Sequence, residues 1–438
     1  MIAQSVLPFK LEKTDEHLTP HAGLIPVHEF HLAMGLDRLL DSSLPLPGSN
    51  RGYRPSEVVM PLVLMLLGGG GDLTDIRVIA QDAALRQACN LKKIPAESTL
   101  GDLLRRYGSQ PHTMQGMSRV EDKLTQAMLW EGKTSDFTLD ADATIIAADK
   151  QDATVAYDGT KGFHPMLGFL AENKWLIHHE FRTGCASPAG GMVPFIKTCQ
   201  ARMPKGCRIA RFRSDSAAYN HGVTDHCEKT NVLFAIGADW DKAVKALYRG
   251  LPVDGWTQFM ASGSRKKREV AETIHSFNKG AGSFRLIFVR DVEEQGTLFE
   301  TDFRGRAIAS NFPESTDAVS IVEWYNDRGN AENYIKELKH GAGLLHFPCG
   351  QFDANAAWMS IGALTYDLFI LQQSLALPPE LESSTIATVR WRLYQVAAKV
   401  VAHARSIIVK VAADATTFQW LERLRTASQR IAVQNGFT

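Results

Sequence analysis

FTLDADATIIA at residues 137–147, FHPMLGFLA at 163–171 and WLIHHEFRTG at 175–184 decide the fold. Each is a short run with strand composition, bounded by polar or glycine-containing turns, and suits a pleated, half-buried surface. Three such neighbours predict an antiparallel meander. Outward from them, a helical pattern at 191–202 leads to the strand IARFRSD at 209–215, a second helical pattern at 224–230 and the strand VLFAIG at 232–237.

This β-β-β-α-β-α-β order is the one a ribonuclease-H-like core requires, so the fold expected is α/β with a mixed sheet. From 239 to 311 the texture changes to a β-rich insertion, with Trp256, the basic run RKKR at 265–268, a strand SFRLIFVRD at 283–291 and another near 306–310. Residues 25–130 read as helices broken at 45–54, at 68–71 and near Pro95, and from Ser315 onward the chain reads as helical to its end. The predicted organisation is a helical unit over 1–130, a ribonuclease-H-like core over 131–238 and 312–350, the insertion over 239–311, and a helical region over 351–438.

Composition bounds the function. At 438 residues with 45% hydrophobic content, the chain can bury substantial cores. Lys plus Arg and Asp plus Glu both number 48, so a nucleic-acid surface has to be basic locally and a uniformly basic coating protein is excluded. The six cysteines have no zinc-ligand spacing. With no export signal in MIAQSVLPFKLEKTDE, the expectation is a cytoplasmic protein associated with the nucleoid when bound to DNA. The apolar stretches 58–67 and 358–375 are too short or too polar to span a bilayer and read as buried helices. Gly68 to Gly71 is not followed by the Lys-Ser/Thr of a phosphate loop, so ATP is not implied.

The densest chemical signal is EWYNDRGNAENYIKELKHG at 323–341. Read as one helix at about 100° per residue with Arg328 at zero, Lys339 falls at about 20°, Glu332 at about 40°, Tyr325 at about 60° and Lys336 at about 80°. One face then carries a phenol, cations and one carboxylate, which suits a group that holds a metal ion while its neighbours grip phosphate oxygens. The alternative is a solvated helix with i,i+4 ion pairs such as Glu332 with Lys336. Asp140 and Asp142 lie two apart on one strand face, and Asp215 ends a later strand. Such carboxylates, with a helix carboxylate facing them, can hold two hard cations, and all-oxygen ligands favour Mg²⁺ or Mn²⁺.

The spacing Tyr325-x2-Arg328-x3-Glu332-x6-Lys339, with LDADAT around Asp142 and FRSDSAAY around Asp215, resembles the Tyr-Arg-Glu-Lys branch of bacterial insertion-sequence DDE transposases, over roughly residues 130 to 385. The resemblance implies metal-dependent DNA cleavage at terminal inverted repeats and strand transfer into target DNA, with Asp142, Asp215 and Glu332 as the metal-binding triad. Thr144, two residues after Asp142, matches the family's first-aspartate motif, and Asp140 stays open as the alternative. It also implies Tyr325, Arg328 and Lys339 at the transposon end, with Lys336 beside them, double-stranded DNA as partner, and a homodimer on DNA. The long gap between Asp215 and Glu332 matches the family's β-strand insertion, in which, in relatives with a hairpin mechanism, an aromatic stacks on a flipped base. Trp256 is a candidate for that role or for ordinary core packing.

Several features keep two readings. The patterns 74–89 and 98–107, with Ser98 as N-cap, form either a helix-turn-helix that carries Arg105 and Arg106 to DNA or two helices of a bundle. His164, His178 and His179 are proton shuttles or packed side chains, and the RKKR run is a phosphate contact or a solvated hairpin tip. A catalytically inactive transposase-derived DNA-binding protein and a metal-free glycoside hydrolase are the competing functions.

Overall fold

The computed structural model describes residues 7, 9–130, 134–260, 266–277, 282–292, 305–404 and 406–435. Its centre is a mixed sheet whose strands lie side by side in the order Trp175–Glu180, Met166–Leu170, Asp136–Ala143, Arg208–Ser214, Leu233–Ala238, Gly305–Ser310, Ser283–Asp291, Lys267–Ser276 and Thr257–Met260. The first three form the expected antiparallel meander, and the next two join it in parallel. Helices Met192–Ala201 and His221–Lys229 make the crossovers that parallel strands need. The insertion strands are antiparallel and continue the same sheet, because Gly305–Ser310 pairs with Leu233–Ala238.

The predicted strand at 163–171 divides at His164–Pro165. Lys161–Phe163 joins a separate small sheet with Ile146–Ala147 and Thr154–Val155, while Met166–Leu170 stays in the main one. Pro165 has no N–H to give to a ladder, and its carbonyl instead accepts from the Thr144 backbone N–H at 3.0 Å.

Two helical boundaries differ from the sequence reading. Helix Glu97–Ser109 starts after Ala96, so Ser98 lies inside it and is not its cap. The pattern 74–89 is a short 3₁₀ turn followed by Ile76–Gln81 and Ala83–Ala88. The break falls at Asp82, whose carboxylate accepts from Leu85 N–H at 2.8 Å and from the Thr19 hydroxyl at 2.5 Å. A side chain that satisfies the start of one helix ends the preceding one.

Both apolar stretches are buried helices, Pro55–Gly68 and Phe352–Leu375. Among the described residues no single helix is long and apolar enough to cross a membrane. Most polar groups inside the second find partners, although the Gln372 side-chain nitrogen has none among the described residues. Asp367 accepts from the Leu176 backbone N–H at 3.1 Å, Gln372 from the Tyr394 hydroxyl at 2.5 Å, and Gln373 donates to Leu381 and Ser384 carbonyls. The Asp367 bond docks this helix onto the sheet's edge strand.

The region after Ser315 is not helical throughout. Ala398–His403 and Ser406–Val411 form a hairpin that pairs with Leu18–Thr19 and so ties the two ends of the chain together. The β-branched run VVAHARSIIVKV favours strands, and Ala404 takes a positive φ of 52° at the turn.

Arg390 shows how the helical shell is fastened. Its guanidinium donates to the Leu67, Leu66 and Gly341 carbonyls at 2.7, 3.1 and 2.8 Å, closing the C-terminal ends of two elements. Arg390→Gln is expected to lower unfolding free energy by about 2–3 kcal/mol, read from the urea midpoint at constant m-value.

His28 and His31 lie buried on helix Leu24–Ala33. Burial lowers their pKa values to about 4 and about 3. Neither His31 ring nitrogen has a hydrogen-bond partner among the described residues. Below about pH 6.5 the unfolded chain takes up protons that the native state excludes, so stability falls with pH until the folded values are reached. Urea midpoints at pH 8, 6 and 5 are expected to fall in that order, with a shallower fall in His31→Leu.

Candidate active site

The parallel strands place the acidic residues. In their register Asp140 lies beside Arg213, and Arg213 beside Ala235. Two residues further on, Asp142 lies near the end of its strand, still paired with Leu167, and Asp215 follows the end of the next strand on the same side of the sheet. Asp215 caps the turn Ser216–Ala218 by accepting from Ala217 N–H at 3.0 Å.

Asp140 has a different environment from Asp142. It is buried, and its two carboxylate oxygens take the Arg213 guanidinium at 2.7 and 2.9 Å. Arg213 also donates to the Trp324 carbonyl at 2.6 Å and lies 4.9 Å from that ring's centre. Asp142 is half-buried and meets the Arg328 guanidinium at 3.4 Å. Burial raises its carboxyl pKa to about 6; Asp215 and Glu332 add to the rise, and Arg328 opposes it. Three carboxylates thus share one electrostatic environment with Arg328. They do not form a closed coordination shell, since no three His, Cys, Asp or Glu side chains among the described residues are grouped closely enough to hold a metal ion.

The segment 323–341 is not one helix. Ala318–Asn326 ends at Asp327, Gly329–Lys336 begins after Arg328, and a π-helical turn follows over Glu337–Gly341. The helix therefore breaks between Tyr325 and Glu332, although the Tyr325 hydroxyl stays beside Arg328. The Tyr325 ring is buried among Ala235, Ile308, Ile321 and Val322. Glu332 and Lys336 are exposed on the second helix. Lys339 is half-buried, and its ammonium donates to the Thr144 hydroxyl at 2.7 Å and the Ile145 carbonyl at 3.0 Å. Burial lowers its pKa against the pull of Asp142.

The remaining candidates lie elsewhere. Trp256 packs edge-on to Tyr248, ring centres 5.6 Å apart, and Arg290 covers its face at 3.9 Å. Arg105 and Arg106 are exposed; Arg105 pairs with Asp102, while the rest of their helix packs so tightly on Phe352–Leu375 that a Cβ on Gly108 would overlap the Asp353 carbonyl. His164 bonds the Ala186 carbonyl, His179 pairs with Glu121 at 3.0 Å and His178 meets Arg202 at 3.1 Å, all in structural contacts. Of the RKKR run, Arg265 lies outside the described residues, and Lys267 and Arg268 belong to the strand Lys267–Ser276. Sequence reasoning missed Arg213. Its signal was present, because an arginine two residues before Asp215 mirrors Asp140 two residues before Asp142.

The family profile described as transposase DDE domain group 1 matches residues 5–433. The chain belongs to that family of DDE transposases. A comparison with curated protein sequences gives no match. Among solved structures this transposase is similar to the piggyBac transposase in a cryo-EM synaptic complex with hairpin DNA, with a TM-score of 0.45 and 8% identity over 95% of this chain and 82% of that one.

Removing one member of the buried pair leaves the other charge uncompensated. Asp140→Ala is expected to cost about 3–5 kcal/mol of stability, read by urea unfolding. A cost below about 1 kcal/mol would show that the pair does not hold the sheet.

Proposed function

We propose that this transposase cuts DNA at the ends of its mobile element and joins the freed 3′-hydroxyl to target DNA at one site, with Asp142, Asp215 and Glu332 as the acidic triad. The observation that supports this most is the half-buried Asp142 carboxyl, held in the field of Asp215 and Glu332 and beside Arg328. Asp140 is left to its structural pairing with Arg213.

The donor types suit a hard divalent cation, being all oxygen, and a cation that drew the three carboxylates together would relieve their mutual repulsion. Mg²⁺ or Mn²⁺ bound there would acidify the attacking water and offset charge on the leaving oxygen. Arg328 and Lys336 contact phosphate oxygens, and Tyr325 sets the Arg328 guanidinium. Lys339 ties the π-helical turn to the segment after Asp142, and so links the Glu332 helix to the Asp142 strand. Arg105, Arg106 and Trp256 extend the DNA contact away from the chemistry, and two copies of the chain pair two terminal inverted repeats.

Labelled DNA carrying the element's own ends, incubated in Mg²⁺, tests this directly. Wild type is expected to cut at the ends, and EDTA to stop it. Glu332→Ala and Asp142→Asn are expected to bind the same DNA with cleavage reduced at least about a thousandfold, while Asp142→Asn unfolds no earlier than wild type because a repelled buried charge has gone. Equal cutting by wild type and Glu332→Ala removes Glu332 from the triad. End binding without cleavage by wild type identifies an inactive DNA-binding derivative.

A further inference from the structure

The row of the sheet that carries Asp142 and Asp215 has a third member. Arg213 lies beside Ala235 and Ser214 beside Ile236, so the residue level with Asp215 on the next parallel strand is Gly237. Its backbone is not in the left-handed region, and it pairs regularly with Ile308, so neither a turn nor a bulge calls for glycine. Close approach does. A Cβ built there would lie 2.8 Å from the Tyr325 hydroxyl, 3.3 Å from the Ser216 nitrogen and 3.5 Å from the Asp215 carbonyl carbon.

We propose that Gly237 is a positioning residue for the reaction: its missing side chain leaves the slot in which the Tyr325 hydroxyl lies against the Asp215 turn. This rests on the triad assigned above. The contacts run in both directions. On one side the slot borders the turn whose start holds the Asp215 carboxylate against Ala217 N–H. On the other, Tyr325 interacts with Arg328, which meets Asp142. The Tyr325 ring has little room to withdraw, because it is buried in the cluster that includes Ala235, Ile308, Ile321 and Val322. A methyl group at 237 therefore displaces either the hydroxyl, and with it Arg328, or the Asp215 turn. Both displacements change how the two carboxylates are presented.

The test is a cycle of Gly237→Ala, Tyr325→Phe and the double variant in the full chain, read by calorimetric titration with Mn²⁺ alone, by urea unfolding and by end cleavage. Gly237→Ala is expected to weaken Mn²⁺ binding about tenfold or more while keeping a near-native urea midpoint. The double variant is expected to bind Mn²⁺ more tightly than Gly237→Ala, since losing the hydroxyl oxygen reopens the slot. If Gly237→Ala proves too unstable to titrate, the same relief is read from recovery of the double variant's fold and Mn²⁺ affinity. Wild-type Mn²⁺ affinity in Gly237→Ala overturns the proposal, as does equal loss in the single and double variants, or coupling seen in stability alone. Asp215→Asn is the control. If it abolishes Mn²⁺ binding while Gly237→Ala does not, only the role of Gly237 falls; if it binds Mn²⁺ as wild type does, the triad assignment falls and the role of Gly237 with it.

Discussion

The bidentate pair between Asp140 and Arg213 fixes the geometry on which the site depends. Side chains alternate across a strand, so a slip of one residue between Asp136–Ala143 and Arg208–Ser214 would turn every side chain to the other face. The pair opposes that slip because either charge, left buried and alone, is costly. The Ser214 hydroxyl adds a bond to the Ala141 carbonyl at 3.0 Å between the same strands. With the register fixed, Asp142 and Asp215 emerge together two residues later. One acidic residue is paired bidentately with an arginine in the interior, and the next along the same face meets its arginine at 3.4 Å beside two further carboxylates; burial raises the pKa of both to about 6.

Much of this was legible in the sequence, for a physical reason in each case. The strands of the core announced themselves because a mixed sheet flanked by helices needs short runs of β-branched and aromatic residues, and Phe137, Leu139, Phe169, Leu176 and Phe212 are buried where those runs predict. Asp215 stood out because it ends a strand pattern, and Asp142 through the resemblance carried by Thr144 two residues on. The shape of the segment after Glu323 was not legible. Periodicity is blind to a break that keeps the helical pattern on both sides, and only the observed turn at Asp327 and Arg328 separates Tyr325 from Glu332. The hairpin near the C-terminus was missed for the opposite reason, since its β-branched residues lie between two helical patterns that invite a continuous reading.

Long-range contacts were the least legible part. Arg202, at the end of helix Met192–Ala201, donates to Glu121 and Asp122 at 2.7 Å each and to the Ser118 hydroxyl at 2.8 Å, which binds the crossover helix to Pro111–Trp130. His179 reaches the same Glu121 from the edge strand. The Trp175 indole donates to Thr125 at 2.9 Å on the same helix. No spacing in the chain predicts that these segments meet. Together with Asp367 on Leu176, they clamp the meander between the N-terminal helices and the long buried helix, so the sheet edge farthest from the insertion is covered and not open to another strand.

The same network explains why the chain's overall charge says so little about DNA. Arg202, Arg213, Arg285 and Arg290 are each held within about 3 Å of a carboxylate that also belongs to the fold, and Arg211 lies 3.3 Å from Glu172. These cations fasten strands and helices, so they enter the total of 48 basic residues with their charge already paired inside the fold. The acidic count includes their partners Glu121, Asp122, Asp140, Glu172, Glu269 and Glu272. A net charge of zero is therefore what a heavily cross-braced α/β protein shows whether or not it binds a polyanion. What bears on binding is the local distribution, and around Glu332 the cations Arg328, Lys336 and Lys339, on a short stretch that Lys339 ties to Thr144 just after the Asp142 strand, stand with the Asp142, Asp215 and Glu332 carboxylates.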